Sequence, residues 1–96
     1  NLAENGILIV HLELSKAKNS ILSKPRIQSM GIVANKDTIV FNRGIEEFFS
    51  LFVKNCKKEL YNSQKSMENE IRNALRKLMF KKTKRYPTII PIVDLK

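Results

Sequence analysis

The sequence has no tryptophan, one cysteine (Cys56), one histidine (His11), three glycines and three prolines. One thiol cannot close an intramolecular disulfide. One thiol and one imidazole also fall short of the three or four Cys and His side chains that a structural zinc site uses, so neither metal ligands nor cofactors are expected in this chain. Gly6, Gly31 and Gly44 are too dispersed to cradle a phosphate, and no two of them form the G-x-x-G of a KH module. Long hydrophobic runs are missing as well. The longest, residues 7–10, is far shorter than the ~20 residues that cross a bilayer, and the first residues lack the cationic-then-apolar order of a secretory leader. No membrane partner is expected, and a lone thiol suits a reducing cytoplasm.

Catalytic groupings are equally scarce. His11 lies in a β-like stretch beside Glu13 with no serine elbow in the sequence, which reads as a surface histidine. Cys56 falls on an apolar helical stripe and reads as a packed, reduced thiol. The acids show no D-x-D or paired-carboxylate cluster. No catalytic residue is assigned, and a free-standing enzyme lacks any acid, base or metal set in this sequence.

The 96 residues that are present suit one domain: 43% are hydrophobic and 28% charged, a globular balance. The chain opens on Asn1 with no initiator methionine and reads as a piece of something longer. Residues 7–14 are first continuously apolar and then alternate, which predicts a strand. Residues 15–23 read as a loop, and residues 26–33, after Pro25, as the antiparallel partner of the first strand. Asn35, Lys36 and Asp37 are turn formers, and the short, apolar, β-prone residues 38–41 predict a short additional strand. From Ile45 the period changes. Ile45, Phe48, Phe49, Phe52, Val53, Cys56 and Leu60 recur every three or four residues and predict an amphipathic helix. A second helix is expected from an N-cap at Ser66, with Met67, Ile71, Leu75, Leu78 and Met79 on its apolar face, ending before Pro87. Residues 88–93 predict a last strand in which Pro91 is tolerable only if its nitrogen faces away from a ladder partner. The expected fold is α+β: a small three-stranded sheet with two helices on one face, in the order β-β-α-α-β, and an extra short strand at 38–41.

Two surface signals follow. The chain carries 18 Lys and Arg against 9 Asp and Glu, a formal net charge of +9, and the excess is local. Residues 71–93 hold seven cations and no anion. Arg76, Lys77, Lys81, Lys82, Lys84 and Arg85 are the candidates for contact with RNA. A solvated basic face that compensates the helix dipole accounts for the same residues. Tyr86 could stack on a base, or serve as a packing lid. The second signal is apolar. If Leu8, Val10, Leu12 and Leu14 face the helices, then Ile7, Ile9, Ile90 and Ile92 face the other way, and two helices cannot cover both faces of a sheet. Those four are the interface candidates, for a second copy or for a neighbouring domain; a few side chains, flanked by His11 and Glu13 and simply exposed, account for the same pattern.

Lys81-Lys82-Thr83-Lys84-Arg85-Tyr86-Pro87-Thr88-Ile89-Ile90-Pro91-Ile92-Val93 resembles the closing segment of ribonuclease J, in which a basic helix runs into a K-K-T-K-R-x-P-x-I-x-P-x-I strand. Glu4-Asn5-Gly6-Ile7-Leu8-Ile9-Val10 resembles the opening of that family's C-terminal domain, and Pro25-Arg26-Ile27-Gln28-Ser29-Met30-Gly31 its P-x-I-x-S-x-G segment. Met30, Ile32 and Tyr86 depart from the family's usual residues there, and residues 34–42 are longer than its link into the first helix. The resemblance implies a cytoplasmic ribonuclease acting 5′ to 3′, and in some members internally, in RNA processing and decay. It also implies a zinc-bearing metallo-β-lactamase catalytic domain elsewhere in the parent; the H-x-H-x-D-H motif of that domain cannot be formed here with one histidine. By the same resemblance residues 1–96 are the accessory C-terminal domain. Its partners are itself, as a homodimer or homotetramer, and the parent's catalytic domain.

Overall fold

A computed structural model describes residues 5–96. Glu4, the first residue of the opening resemblance, lies outside the described residues. The elements are β1 (Ile7–Ser15), β2 (Ser20–Ile21), β3 (Arg26–Met30), α1 (Thr38–Asn55), α2 (Gln64–Thr83) and β4 (Thr88–Leu95), with single 3-10 turns at Asn35–Asp37 and Lys58–Asn62. β1 is the centre of the sheet. β3 pairs antiparallel with its first half, from Ile7↔Met30 to His11↔Arg26, and β2 with its end, at Leu14↔Ile21 and Ser15↔Ser20. β2 and β3 therefore share one edge of β1 as two pieces of one returning lane. β4 runs parallel along the other edge, from Ile7↔Thr88 to Leu14↔Leu95. The α+β architecture with three lanes matches the expectation, while residues 20–21, read as loop, add a short strand.

Alternation decides which side is buried. Leu8, Val10, Leu12 and Leu14 are 0–1% exposed and meet Ile45 and Phe49 of α1 and Met67, Ile71, Leu75 and Met79 of α2, all at 0%. The intervening Ile7, Ile9, His11 and Glu13 are half-buried on the other face. Gly6 sets where β1 begins. Its φ is +91°, and a Cβ there would lie 2.7 Å from Ile32 Cγ1 and 2.8 Å from the Met30 carbonyl oxygen, so a side chain would be excluded twice over.

The short strand expected at 38–41 is instead the first turn of α1. Phe41 begins the buried series Phe41, Ile45, Phe49, Val53, while Ile39 and Val40 are 69% and 73% exposed. One buried aromatic at four-residue spacing outweighs the β preference of two exposed residues. The second helix is capped at Ser63, three residues before the expected Ser66. Ser63 is extended, and its hydroxyl accepts the Ser66 N–H at 3.1 Å. At its other end α2 stops before Pro87, as expected, with Lys84 in the left-handed region at φ +61° and its N–H on the Phe80 carbonyl at 2.8 Å.

The free edge of β4 is blunted. Thr88 and Lys96 donate their N–H groups to the carbonyls of Gly6 and Leu14 in the first lane, so the N–H groups of even-numbered residues face β1 and those of odd-numbered residues face the free edge. Pro91 is odd, and its missing N–H costs no ladder bond. Val93 is odd too, and its N–H is taken by Glu68 Oε2 of α2 at 2.9 Å.

Candidate functional site

The ladder register assembles the open face of the sheet row by row. Ile7 lies between Met30 and Thr88, Ile9 between Gln28 and Ile90, His11 between Arg26 and Ile92, and Glu13 beside Asp94. The four expected interface residues therefore share one surface. Ile7 and Ile9 are half-buried, Ile90 and Ile92 are 43% and 40% exposed, and Met30 joins them at 47%.

One end of this face is polar and self-paired. Arg26 Nη2 donates to His11 Nδ1 at 2.8 Å, and His11 Nε2 lies 2.7 Å from Asp94 Oδ2. A guanidinium can only donate, so Nδ1 accepts, the ring proton sits on Nε2, and Nε2–H donates to the carboxylate. Both nitrogens of His11 are thus committed, which leaves no lone pair for general-base chemistry. Glu13 accepts from Ser23 Oγ at 3.0 Å and from Lys96 Nζ, and these bonds hold its carboxyl below the usual carboxylate range, with the Lys96 bond the larger cause. Arg26 and Lys96 offset Glu13 and Asp94, so the face is neutral on a strongly cationic chain. Sequence reading missed the His11–Asp94 contact because its partners are 83 residues apart. The parallel pairing of β1 with β4 creates it.

The second surface lies at the C-terminal end of α2. Arg72, Arg76 and Phe80 recur at four-residue spacing on one stripe, and all three are exposed. The left-handed Lys84 turns the chain back along the helix. Thr83 Oγ1 donates to the Met79 carbonyl at 2.8 Å and accepts the Arg85 N–H at 3.2 Å. Tyr86 is thereby laid on Phe80, with ring centroids 4.7 Å apart and planes 9° from parallel. The Arg76 guanidinium sits 4.6 Å from the Tyr86 centroid and Lys84 Nζ 5.9 Å from that of Phe80. Exposed cation–π contacts of this kind are worth about 0.5–1 kcal/mol each.

Of the six cations singled out for RNA, Arg76, Lys77 and Lys84 surround this ring stack. Arg72 joins them. Lys82 is drawn aside over α1, where a Cβ on Gly44 would lie 3.3 Å from its Nζ. Arg85 is tied to the Ile32 carbonyl at 3.2 Å, and Lys81 is exposed. Phe80 was missed by sequence reading. Its signal is that it falls off the apolar stripe of α2, six residues before another aromatic.

Burial pushes the Cys56 thiol up, with Sγ 3.8 Å from the Val53 carbonyl, and pushes Tyr61 up to about 12. Neither is poised to ionise at neutral pH. Among the described residues no three His, Cys, Asp or Glu side chains come together around a metal-sized space, and no helix is long and apolar enough to cross a membrane.

The fold and its surfaces define a small α+β domain, with two helices on one face of a mixed sheet and the opposite face open. The sequence profile of the Ribonuclease J C-terminal domain matches residues 1–94, and the chain belongs to that family. It is similar to Ribonuclease J of Helicobacter pylori strain 26695, with 31% identity over 88 residues, 92% of this chain and 13% of that protein. It is also similar to Ribonuclease J 2 of Streptococcus pyogenes serotype M3, with 33% identity over 96% of this chain and 17% of that protein. Ribonuclease J 2 of Staphylococcus aureus strain NCTC 8325 is 33% identical over 97% of this chain and 17% of its own length. The chain thus spans roughly one-eighth to one-sixth of the curated relatives it matches.

Proposed function

We propose that this domain is the non-catalytic assembly module of a ribonuclease J, and that its open sheet face packs against a second copy of itself. The parent's zinc-dependent 5′-to-3′ exonuclease and endonuclease chemistry, its role in RNA processing and decay and its cytoplasmic location belong to the same proposal. The observation that carries it is the open face itself. Five apolar side chains, Ile7, Ile9, Met30, Ile90 and Ile92, are gathered on one side of a sheet whose other side is fully packed. Ordinary surfaces scatter such residues singly. Electrostatics favours a second copy as the occupant. The chain carries a net charge of +9, yet this face balances Arg26 and Lys96 against Glu13 and Asp94, so two copies can meet here without repulsion. A two-fold axis would bring the same patch of both copies together, as an isologous interface requires. The blunted edge of β4 argues for face-to-face packing over strand addition.

Sedimentation of the 96-residue chain tests this. A concentration-dependent dimer is expected at tens to hundreds of micromolar. Ile92→Asp, at an exposed position, should abolish it with the circular dichroism unchanged, because an unpaired carboxylate cannot be buried in an apolar interface. A monomer throughout that range, together with normal assembly of the full-length enzyme carrying Ile9→Asp, overturns the proposal.

A further inference from the structure

The ring stack at the end of α2 is unlike the rest of the surface. Two aromatic side chains, 41% and 46% exposed, lie parallel to one another instead of turning into the core. Tyr86 and Arg76 together form the wall between two clefts. One cleft, between α2 and the start of β4, is lined by Arg72, Arg76, Tyr86 and Pro87. The other is lined by Asn73, Arg76, Lys77 and Tyr86. A cation therefore stands on each side of the ring, and residues 71–93 contain no acid to neutralise them. The backbone is also strained to make this arrangement. Lys84 is a non-glycine residue at φ +61°, and it is this turn that brings Tyr86 back onto Phe80.

We propose that the Phe80–Tyr86 stack is a platform for a base of a single-stranded nucleic acid, with Arg72, Arg76, Lys77 and Lys84 receiving the phosphates on either side. Stacked rings recognise the flat face of any base, and flanking cations recognise the backbone that joins one base to the next. In the free protein Arg76 and Lys84 lie over the rings. Both are on long flexible stems, and an exposed cation–π contact is weaker than the stacking of a base on an aromatic ring. An arriving base displaces one cation, which then swings to an adjacent phosphate. An acidic peptide would satisfy the cations but has no use for the rings. The site lies on the helical side of the domain, away from the open sheet face, so it stands or falls independently of self-association.

The test compares three fluorescein-labelled probes by anisotropy at 50 mM salt: a twelve-residue oligoadenylate RNA, the same backbone without bases, and a twelve-residue oligoglutamate. The oligoadenylate should bind at least about tenfold more tightly than either of the others. Phe80→Leu and Tyr86→Leu, both at exposed positions, should each weaken it about tenfold and bring it level with the abasic strand. Lys84→Gly should weaken binding severalfold while raising Tm, since glycine relieves the left-handed strain, so lost binding there cannot be lost folding. The chain has two tyrosines and no tryptophan. Tyr61 is buried, so quenching of tyrosine emission on titration with unlabelled oligoadenylate reports Tyr86 directly. Equal affinity for all three probes, unchanged binding by the two leucine variants, or no binding of the oligoadenylate overturns the proposal.

Discussion

The open sheet face and the end of α2 both combine charged and apolar side chains, but they combine them differently. On the sheet face the charges are spent on one another: Arg26 on His11, His11 on Asp94, Lys96 on Glu13. The aliphatic side chains stand beside them in their own rows. At the end of α2 residues 71–93 contain no acid, the cations rest on aromatic rings, and the rings are offered outward. A surface whose polar groups are already satisfied gains little from a charged ligand and loses little when another apolar surface dehydrates it. A surface whose cations are unpaired gains most from a polyanion. The same chain thus separates an apolar, charge-balanced face from a cationic one by distributing nine acids unevenly.

The largest expected effect turns on that separation. If four cations of the α2 end meet phosphates, raising salt from 50 to 200 mM should weaken oligoadenylate binding about 50-fold, a log–log slope near −3. Over the same range the self-association constant should change by no more than about twofold, because its face carries no net charge to screen. Parallel sedimentation and anisotropy titrations check both, and a dimer that dissociates steeply with salt would erase the distinction. Next in size is Glu68→Ala. It strips the acceptor from the Val93 N–H, so the fold should lose roughly 1–2 kcal/mol in urea unfolding. Glu68→Gln, which keeps an acceptor oxygen, should recover most of this. If association were by strand addition to β4, the alanine variant would dimerise more tightly, whereas face-to-face packing predicts no gain.

The architecture was legible where a single period dominates. Leu8, Val10, Leu12 and Leu14 alternate in sequence and in burial, and Ile45, Phe49 and Val53 repeat at helical spacing, so the strand, the helix and the side that each buries could all be read directly. Reading failed where two local tendencies compete. Thr38, Ile39 and Val40 are β-branched but helical, since only the long-range burial of Phe41 distinguishes the two states. Ser63 and Ser66 are both good caps, and the choice depends on where Met67 must meet the sheet. The surfaces were legible in composition and not in geometry. Alternation alone placed Ile7, Ile9, Ile90 and Ile92 on one face. Which cations gather around a ring depends on the left-handed turn at Lys84, and the His11–Asp94 contact depends on a parallel pairing that no local pattern encodes.

The smallest expected effect concerns how the sheet face keeps its neutrality. Glu13 has its carboxyl pKa lowered, first by the Lys96 bond and then by Ser23, and Lys96 has its own pKa raised by Glu13. A lowered acid pKa stabilises the fold at pH above the unfolded value, and that contribution fades as pH falls through the folded value. A raised lysine pKa stabilises below the unfolded value and fades as pH climbs through the folded one. The difference in Tm between the wild-type chain and Glu13→Gln should therefore form a plateau across neutral pH, closing at the acid end and again at the alkaline end. Lys96 is exposed and Glu13 is only half-buried, so the plateau should be low and should shrink in salt. Acidification has a second consequence on this face. Once Glu13 is protonated, Lys96 is left unbalanced, and the face acquires the same sign as the end of α2. Self-association should then weaken at a pH where the fold is still intact by circular dichroism, and added salt should restore it. A dimer indifferent to that change would mean that neutrality is not what lets two copies of this cationic chain approach.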